Sequence, residues 1–286
     1  MTVTSALRLL PEPPTVVTAE KLFFAGIDVL NAQPSELHHL RGSAVGMVFQ
    51  NPLTSLNPVL RVGFQIEEAL RYHSDMSKRE RRKRAIELLT QVGLSDPGTR
   101  YLQYPHEFSG GMRQRVGIAM AIANGPAVLV ADEPTTALDV TVQAQILDLI
   151  SSLTVERQMA VILITHDLGV IAEVADEMAV MYSGSIVEQG SVERVFARPR
   201  HPYTVGLMGS RPSGDDQHER LTAIPGRPPQ PAERSLGCAF EPRCFLGRGR
   251  DVCRTQAPPL VPSGDHLAAC HFSDELEGTV IDGERA

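Results

Sequence analysis

The chain has 286 residues and a formal charge of -7 at pH 7. That length allows one sizeable core with a smaller appendage, and the acidic balance excludes a general nucleic-acid binder, which needs a basic face for phosphates. Apolar runs such as MAVILIT are far shorter than the ~20 residues of a membrane helix. The opening lacks a charged n-region and a small-residue cleavage site, so no signal peptide is read there. A cytoplasmic, reducing setting is expected, in which four cysteines read as metal ligands or free thiols rather than disulfides.

In chain order, Thr2–Leu10 reads as an apolar helix stopped by Pro11. Thr15–Leu30 predicts two short strands around Ala25–Gly26, and SELHHLRG a brief helix capped by Ser35. Ala44–Phe49 is a compact apolar strand that ends at Gln50, with Asn51–Pro52 as breaker. Residues 62–92 predict two helices. The basic run Ser77–Arg84 opens the second and reads as its solvated start rather than as a membrane or nucleic-acid patch. Ser109 opens a third helix with Met112, Val116, Ala119, Met120 and Ile122 on its apolar side.

From Ala127 strands and helices alternate: AVLVA, VTVQAQILDLISSL, AVILIT, DLGVIAEVA, EMAVMY. Short apolar strands alternating with helices predict a parallel sheet covered on both faces. SIVEQG reads as a hairpin partner of EMAVMY around Ser183–Gly184. Beyond Arg198 the chain turns proline-rich (RPRHPY, IPGRPPQP, QAPPLVP) and the alternation stops. A boundary is placed at 199/200, with a loop-rich module from 200 to 286 and an acidic, frayed end from Asp274.

Four stretches carry chemistry. In AVLVADEP a buried strand delivers Asp132 and Glu133 to its C-terminal end, where open α/β sheets bind ligands. Asp132 suits Mg²⁺, and Glu133 suits polarising an attacking water; the alternative is a strand-to-loop turn with exposed acids. In FSGGMRQRV, Ser109, Gly110 and Gly111 start a helix, where backbone N–H groups and the dipole favour an anion; the alternative is a plain glycine-containing cap. In ILITHD, His166 ends a strand and is placed on the same edge, within reach of a γ-phosphate; a lone His is otherwise a structural residue. In MVFQNPLTSLNP, Gln50 ends a strand on that edge with an amide that both donates and accepts; otherwise it is a polar turn residue.

All four cysteines (Cys238, Cys244, Cys253 and Cys270) fall in the tail, separated by five, eight and sixteen residues. Such clustering in a core-poor module suggests a thiolate-bound Zn²⁺ or iron–sulfur cluster, against four free thiols packed as small hydrophobes. The spacing is not the C-x-x-C of a zinc ribbon. His201, His266 and His271 are near enough in sequence to be spare ligands.

Together these stretches resemble the nucleotide-binding subunit of an ATP-binding-cassette transporter. Gln50 stands as Q-loop, Ser109–Gln114 as signature, Val128–Glu133 as Walker B, ALDV with Asp139 as D-loop, and His166 as H-loop. QNPLTSLNPV and the tail HPYTVGLM…IPGRPPQP…GCAFEPRC are similar to the oligopeptide/dipeptide (and nickel) importer branch. Phe108 and Met112 depart from the usual Leu and Gln of the signature, variants that fit this branch.

The resemblance implies a P-loop NTPase-like α/β fold: a nucleotide-binding domain over residues 1–199 with a helical subdomain at about 60–124, and a C-terminal extension over 200–286. It implies ATP with Mg²⁺ held by Asp132, catalysis by Glu133, His166 and Gln50, and nucleotide contacts from Ser109, Gly110, Gly111, Gln114 and Asp139. It also favours a [4Fe–4S] cluster over Zn²⁺ on the four cysteines. The implied partners are a second, identical or paralogous ATPase subunit meeting this one head to tail, two membrane permease subunits reached through the segment around Asn51–Pro58, and, indirectly, an extracytoplasmic solute-binding protein. Localisation would be peripheral, at the cytoplasmic face of the membrane. The alternative is a degenerate partner that lends its signature to an intact ATPase.

Arginine outnumbers lysine 24 to 3 and no Gly-Lys pair occurs, which excludes a G-x-x-x-x-G-K-[ST] phosphate loop and its preceding strand from these residues. In this family that loop leads into a helix ending Leu-Leu-Pro, which Thr2–Pro11 fits. The expectation is therefore a chain whose start was placed too late, at a GTG codon of a GC-rich genome, and which turns over little or no ATP by itself.

Overall fold

The computed structural model describes residues 2–50, 55–210, 223–230 and 236–276. By packing, the chain divides into two compact units, 1–166 and 167–286. This grouping differs from the compositional boundary at 199/200, because strand Glu177–Tyr182 and its hairpin partner pack with the tail.

In the first unit, helix α1 (Thr2–Ala6) is shorter than expected. Arg8 turns left-handed at φ 50°, so the N–H of Leu9 reaches Thr4 O and that of Arg8 reaches Ser5 O, each at 2.8 Å. This is a Schellman ending on arginine rather than glycine, and no sequence signal marks it. Strands β1 (Phe23–Phe24) and β2 (Ile27–Asp28) pair antiparallel around Ala25 and Gly26, both at positive φ as a two-residue hairpin turn requires. Helix α2 (Pro34–Leu40) begins one residue ahead of the expected cap. Gln33, not Ser35, occupies that position, and its N–H donates to the Glu36 carboxylate at 2.7 Å.

Strands β3 (Val45–Val48), β4 (Val128–Asp132) and β5 (Ala160–Ile164) form a parallel sheet in that order. Val48 pairs with Ala131, and Asp132 with Ile164. Leu129, Val130 and Ala131 are fully buried, as expected of a central parallel strand. Cover on both faces is not complete at β5, where Ile162 stays 40% exposed.

Helices α3 (Val62–Arg71), α4 (Lys78–Gln91), α5 (Pro97–Leu102) and α6 (Gly110–Ala121) occupy the stretch between β3 and β4. Ser77 caps α4 in a capping box with Glu80. The basic run is thus a helix start, as the solvated reading has it. Their apolar faces share one core with the sheet, including Ile66, Leu70, Leu88, Leu89, Val116, Ile118 and Ile122. Gly46 of β3 is needed where α6 ends on the sheet: an added Cβ would lie 2.2 Å from Ala121 O. Helix α7 (Val140–Arg157) follows β4.

In the second unit, α8 (Leu168–Val174) precedes a four-stranded antiparallel sheet in the order β6-β7-β9-β8. Strands β6 (Glu177–Tyr182) and β7 (Ser185–Ser191) form the expected hairpin around Ser183–Gly184. β6 does not join the parallel sheet, which corrects the alternation reading. Its partners come instead from the tail, where β8 (Val261–Ser263) and β9 (His266–Ala268) were not foreseen. Helices α9 (Val192–Ala197), α10 (Pro202–Gly209) and α11 (Asp251–Thr255) complete the unit. Ser273–Leu276 form a 3₁₀ turn with Leu276 buried, so the described part of the expected frayed end is folded. The rest of it, residues 277–286, lies outside the described residues.

Candidate functional site: a strand edge and a thiol cavity

The three parallel strands deliver polar groups to one edge. Gln50 lies two residues beyond β3, Asp132 ends β4, Glu133 follows it, and His166 lies two residues beyond β5. Glu133 is the centre of the cluster. Its Oε2 accepts from Gln50 Nε2 at 2.6 Å and from the Thr136 hydroxyl at 2.8 Å. Its Oε1 is 3.7 Å from His166 Nδ1. Its backbone is left-handed at φ 46° while its N–H donates to Ile164 O at 2.9 Å, which turns the side chain out of the strand direction. The His166 side chain is 80% exposed, so one face of this cluster is open to a ligand.

Thr136 was missed by sequence reasoning. Its signal is a hydroxyl three residues after a strand-end carboxylate, a spacing with no meaning until the turn brings the two together.

Ser109 caps α6, its Oγ accepting from Met112 N–H at 3.3 Å. Gly110 and Gly111 form the first turn of that helix. Gly111 permits close approach to α7, since an added Cβ would lie 2.5 Å from Val142 Cγ1. Gln114 is 2% exposed, and its Nε2 has no partner among the described residues. It is therefore packed beneath the helix rather than displayed with Ser109. Asp139 caps α7, accepting from Val142 N–H at 2.9 Å. The segment after Gln50 is described only from Ser55; Asn51–Thr54 lie outside the described residues.

In the second unit all four cysteines are free thiols, with Cys244 and Cys253 buried. They line one cavity together with His201, His271, Phe240 and Phe272. Gly247 N–H donates to Cys244 Sγ at 3.0 Å and Phe272 N–H to Cys270 Sγ at 3.4 Å. Burial pushes every one of these thiols up, and Cys270 up to about 12, with the other three thiolates adding to the effect. Among the described residues, no group of three or more Cys, His, Asp or Glu side chains is placed to hold a single ion.

Of the three spare histidines, His266 is excluded as a ligand. Its Nε2 pairs with Glu188 Oε1 at 2.7 Å and its Nδ1 with Asp265 Oδ1 at 3.0 Å. His201 is 1% exposed, and burial pushes its imidazole down to about 4. Its Nδ1 accepts from Tyr203 N–H at 3.0 Å. His271 Nε2 lies 3.0 Å from Gln256 O.

A strand edge bearing adjacent carboxylates, an amide and an imidazole, with a helix that starts Ser-Gly-Gly between its first two strands, defines an ATP-binding-cassette domain. The comparisons agree. The chain matches the ABC transporter family over residues 2–136 and the oligopeptide/dipeptide transporter C-terminal region over 187–253. It is 49% identical over 260 residues to the oligopeptide transport ATP-binding protein OppD of Bacillus subtilis, covering 91% of this chain and 72% of that protein. It is 48% identical over 268 residues to the dipeptide transport ATP-binding protein DppD of Escherichia coli, covering 93% and 81%. The dimeric ATP-binding cassette MJ0796, solved in a post-hydrolysis state with ADP and Pi, matches with a TM-score of 0.54 at 31% identity, over 60% of this chain and 73% of that one. The chain belongs to the oligopeptide/dipeptide branch of the ATP-binding-cassette ATP-binding proteins.

Proposed function

We propose that this chain is the ATP-binding and hydrolysing subunit of a membrane importer for peptides or similar small solutes. The observation that carries the reading is Glu133 at the open strand edge, in contact with Gln50, Thr136 and His166. Asp132 is the residue to hold Mg²⁺, since it ends the central strand beside that glutamate; bound there, the ion would neutralise phosphate charge. Glu133 orients and polarises the attacking water, and His166 contacts the γ-phosphate. Ser109, Gly110 and Gly111 offer N–H groups to the nucleotide of a second ATPase subunit in a head-to-tail dimer, and Asp139 couples the two sites. Buried Gln114 supports that helix from within.

No Gly-Lys pair occurs in the sequence, so these residues do not themselves contain a phosphate-loop lysine. The nucleotide-binding domain is taken as residues 1–199 and the extension as 200–286. The segment after Gln50 docks on two permease subunits at the cytoplasmic face, and a solute-binding protein delivers the cargo to them. The described residues contain no helix long and apolar enough to cross a membrane.

The cysteine cavity supports a [4Fe–4S] cluster held by Cys238, Cys244, Cys253 and Cys270. Four thiols around one cavity, two of them already receiving N–H donors, fit a body that spreads its ligands more widely than one Zn²⁺ does. A cationic centre would reverse the upward push on the thiols. Bound there, it would fold the tail and sense redox state.

The second reading is a partner that only lends its signature helix. Labelled dipeptide uptake by the whole transporter separates the two. Under the hydrolysing reading Glu133→Gln abolishes uptake. Uptake that survives Glu133→Gln but not Ser109→Arg establishes the lending role instead.

A further inference from the structure

We propose that Thr136 is a positioning residue of the hydrolytic site: its hydroxyl holds Oε2 of Glu133 and so leaves Oε1 to take the proton of the attacking water. The proposal rests on the hydrolysing reading above and adds a residue to it. The two oxygens of the Glu133 carboxylate are not equivalent. Oε2 accepts from the Thr136 hydroxyl at 2.8 Å and from Gln50 Nε2 at 2.6 Å. Among the described residues, both hydrogen bonds to this carboxylate fall on that one oxygen. Oε1 has only His166 Nδ1 at 3.7 Å, too long for a hydrogen bond. It is therefore the oxygen still able to accept from water, and it lies beside the exposed imidazole.

The two donors are held differently. Gln50 reaches Glu133 from 83 residues earlier in the chain, beyond the end of β3, through an exposed contact. Thr136 belongs to the same turn as Glu133, and its contact is half-buried. The Thr136 N–H also donates to Glu133 O at 3.2 Å, and Leu138 N–H closes the following turn on Thr135 O at 3.2 Å. Pro134 in that turn is buried. The carbonyl and Oε2 of Glu133 are thus both tied to Thr136, while its N–H is tied to Ile164 of β5. The terminal torsion of a glutamate is broad and roughly two-fold, so an unanchored carboxylate interchanges its oxygens. The Thr136 hydroxyl breaks that symmetry, and its hold travels with the glutamate if the end of β3 shifts.

In the step itself the water oxygen bonds the γ-phosphorus. The bond from that phosphorus to the bridging oxygen of ADP breaks, leaving its electron pair on ADP, and the proton of the water passes to Oε1. The acceptor must stand within hydrogen-bond reach of that water, and a misplacement of about 1 Å costs up to about 10²-fold.

The test uses the whole transporter carrying this chain, reconstituted in vesicles, and reads ATP hydrolysis against ATP concentration. Thr136→Val keeps the shape and removes the hydroxyl. Its kcat is expected to fall about tenfold with KM for ATP unchanged, the pattern of an interaction made only in the transition state. Thr136→Ala should fall equally, and Thr136→Ser, which restores the donor, should return to within about twofold of the wild type. In a Glu133→Gln background, Thr136→Val should lower the residual single-turnover rate by less than about twofold, because the hydroxyl acts through that carboxylate.

A wild-type kcat in Thr136→Val overturns the proposal. So does a raised KM, a loss confined to the valine variant, a serine variant no faster than the valine one, or a further tenfold loss in the Glu133→Gln background; each makes Thr136 a packing element of the turn. Hydrolysis untouched by Glu133→Gln overturns the hydrolysing reading itself, and this inference with it.

Discussion

The two polar centres of this molecule are built by opposite means. At the strand edge, Gln50, Asp132, Glu133 and His166 hang from the ends of three parallel strands whose register fixes their spacing. At the thiol cavity, the four cysteines sit on or beside turns, a 3₁₀ helix and the five-residue helix α11, held by single contacts such as Cys238 N–H to Cys253 O at 2.8 Å. A sheet edge positions groups through a buried core that exists for other reasons. A loop cavity needs its occupant, or a network such as Glu188–His266, to hold it. The first should tolerate loss of a functional side chain without losing shape, and the second should not.

The largest expected effect tests the first half of that contrast. Glu133→Gln should lower ATP-driven uptake by about 10²–10⁴-fold, the range of a positioned acid–base group, while the melting temperature stays unchanged. A variant that unfolds would show that the edge is not independent of its chemistry.

Next comes the cavity. Under the proposed cluster, Cys253→Ser should bring bound iron to background, and amide exchange at Gly247 and Phe272 should speed up about tenfold or more as the turns open locally. The amides of β4 should not respond. A shift confined to metal content would mean that the loops hold themselves.

A smaller effect lies within the signature helix. Gly111→Ala should destabilise by about 1–3 kcal/mol through overpacking on Val142, seen as a lowered denaturant midpoint. Gly110→Ala meets only Leu138 Cδ2 at an ordinary 3.4 Å and should be silent. Smallest is Asp139→Ala, which removes the cap of α7 and should cost about 1 kcal/mol by the same measurement.

The strand edge was legible in the sequence because period and punctuation agree there. Apolar runs of strand length end at Gln50, Asp132 and His166, and a parallel sheet puts strand ends together whatever the intervening loops do. What those residues touch was not legible. The Gln50–Glu133 and Thr136–Glu133 contacts depend on a left-handed turn at a glutamate, and nothing in the residue type announces it. The signature helix start was readable from Ser109 and two glycines, but the burial of Gln114 follows from packing.

In the tail, clustering of the cysteines was visible and their shared cavity was not, since loops carry no periodicity. Strands β8 and β9 were hidden because Val261–Ser263 contains proline, tolerated there on the edge strand of its sheet. The misassignment of β6 has the same root. EMAVMY alternates buried and exposed residues, the signature of an antiparallel strand with one open face, and the rhythm of the preceding strands and helices masked it.

The left-handed backbone at Glu133 also bears on how this chain makes its living. A side chain other than glycine or asparagine in that conformation is disfavoured by about 1 kcal/mol or more. At Glu133 that cost goes with the turn that swings the carboxylate out of the strand to meet Gln50, Thr136 and His166.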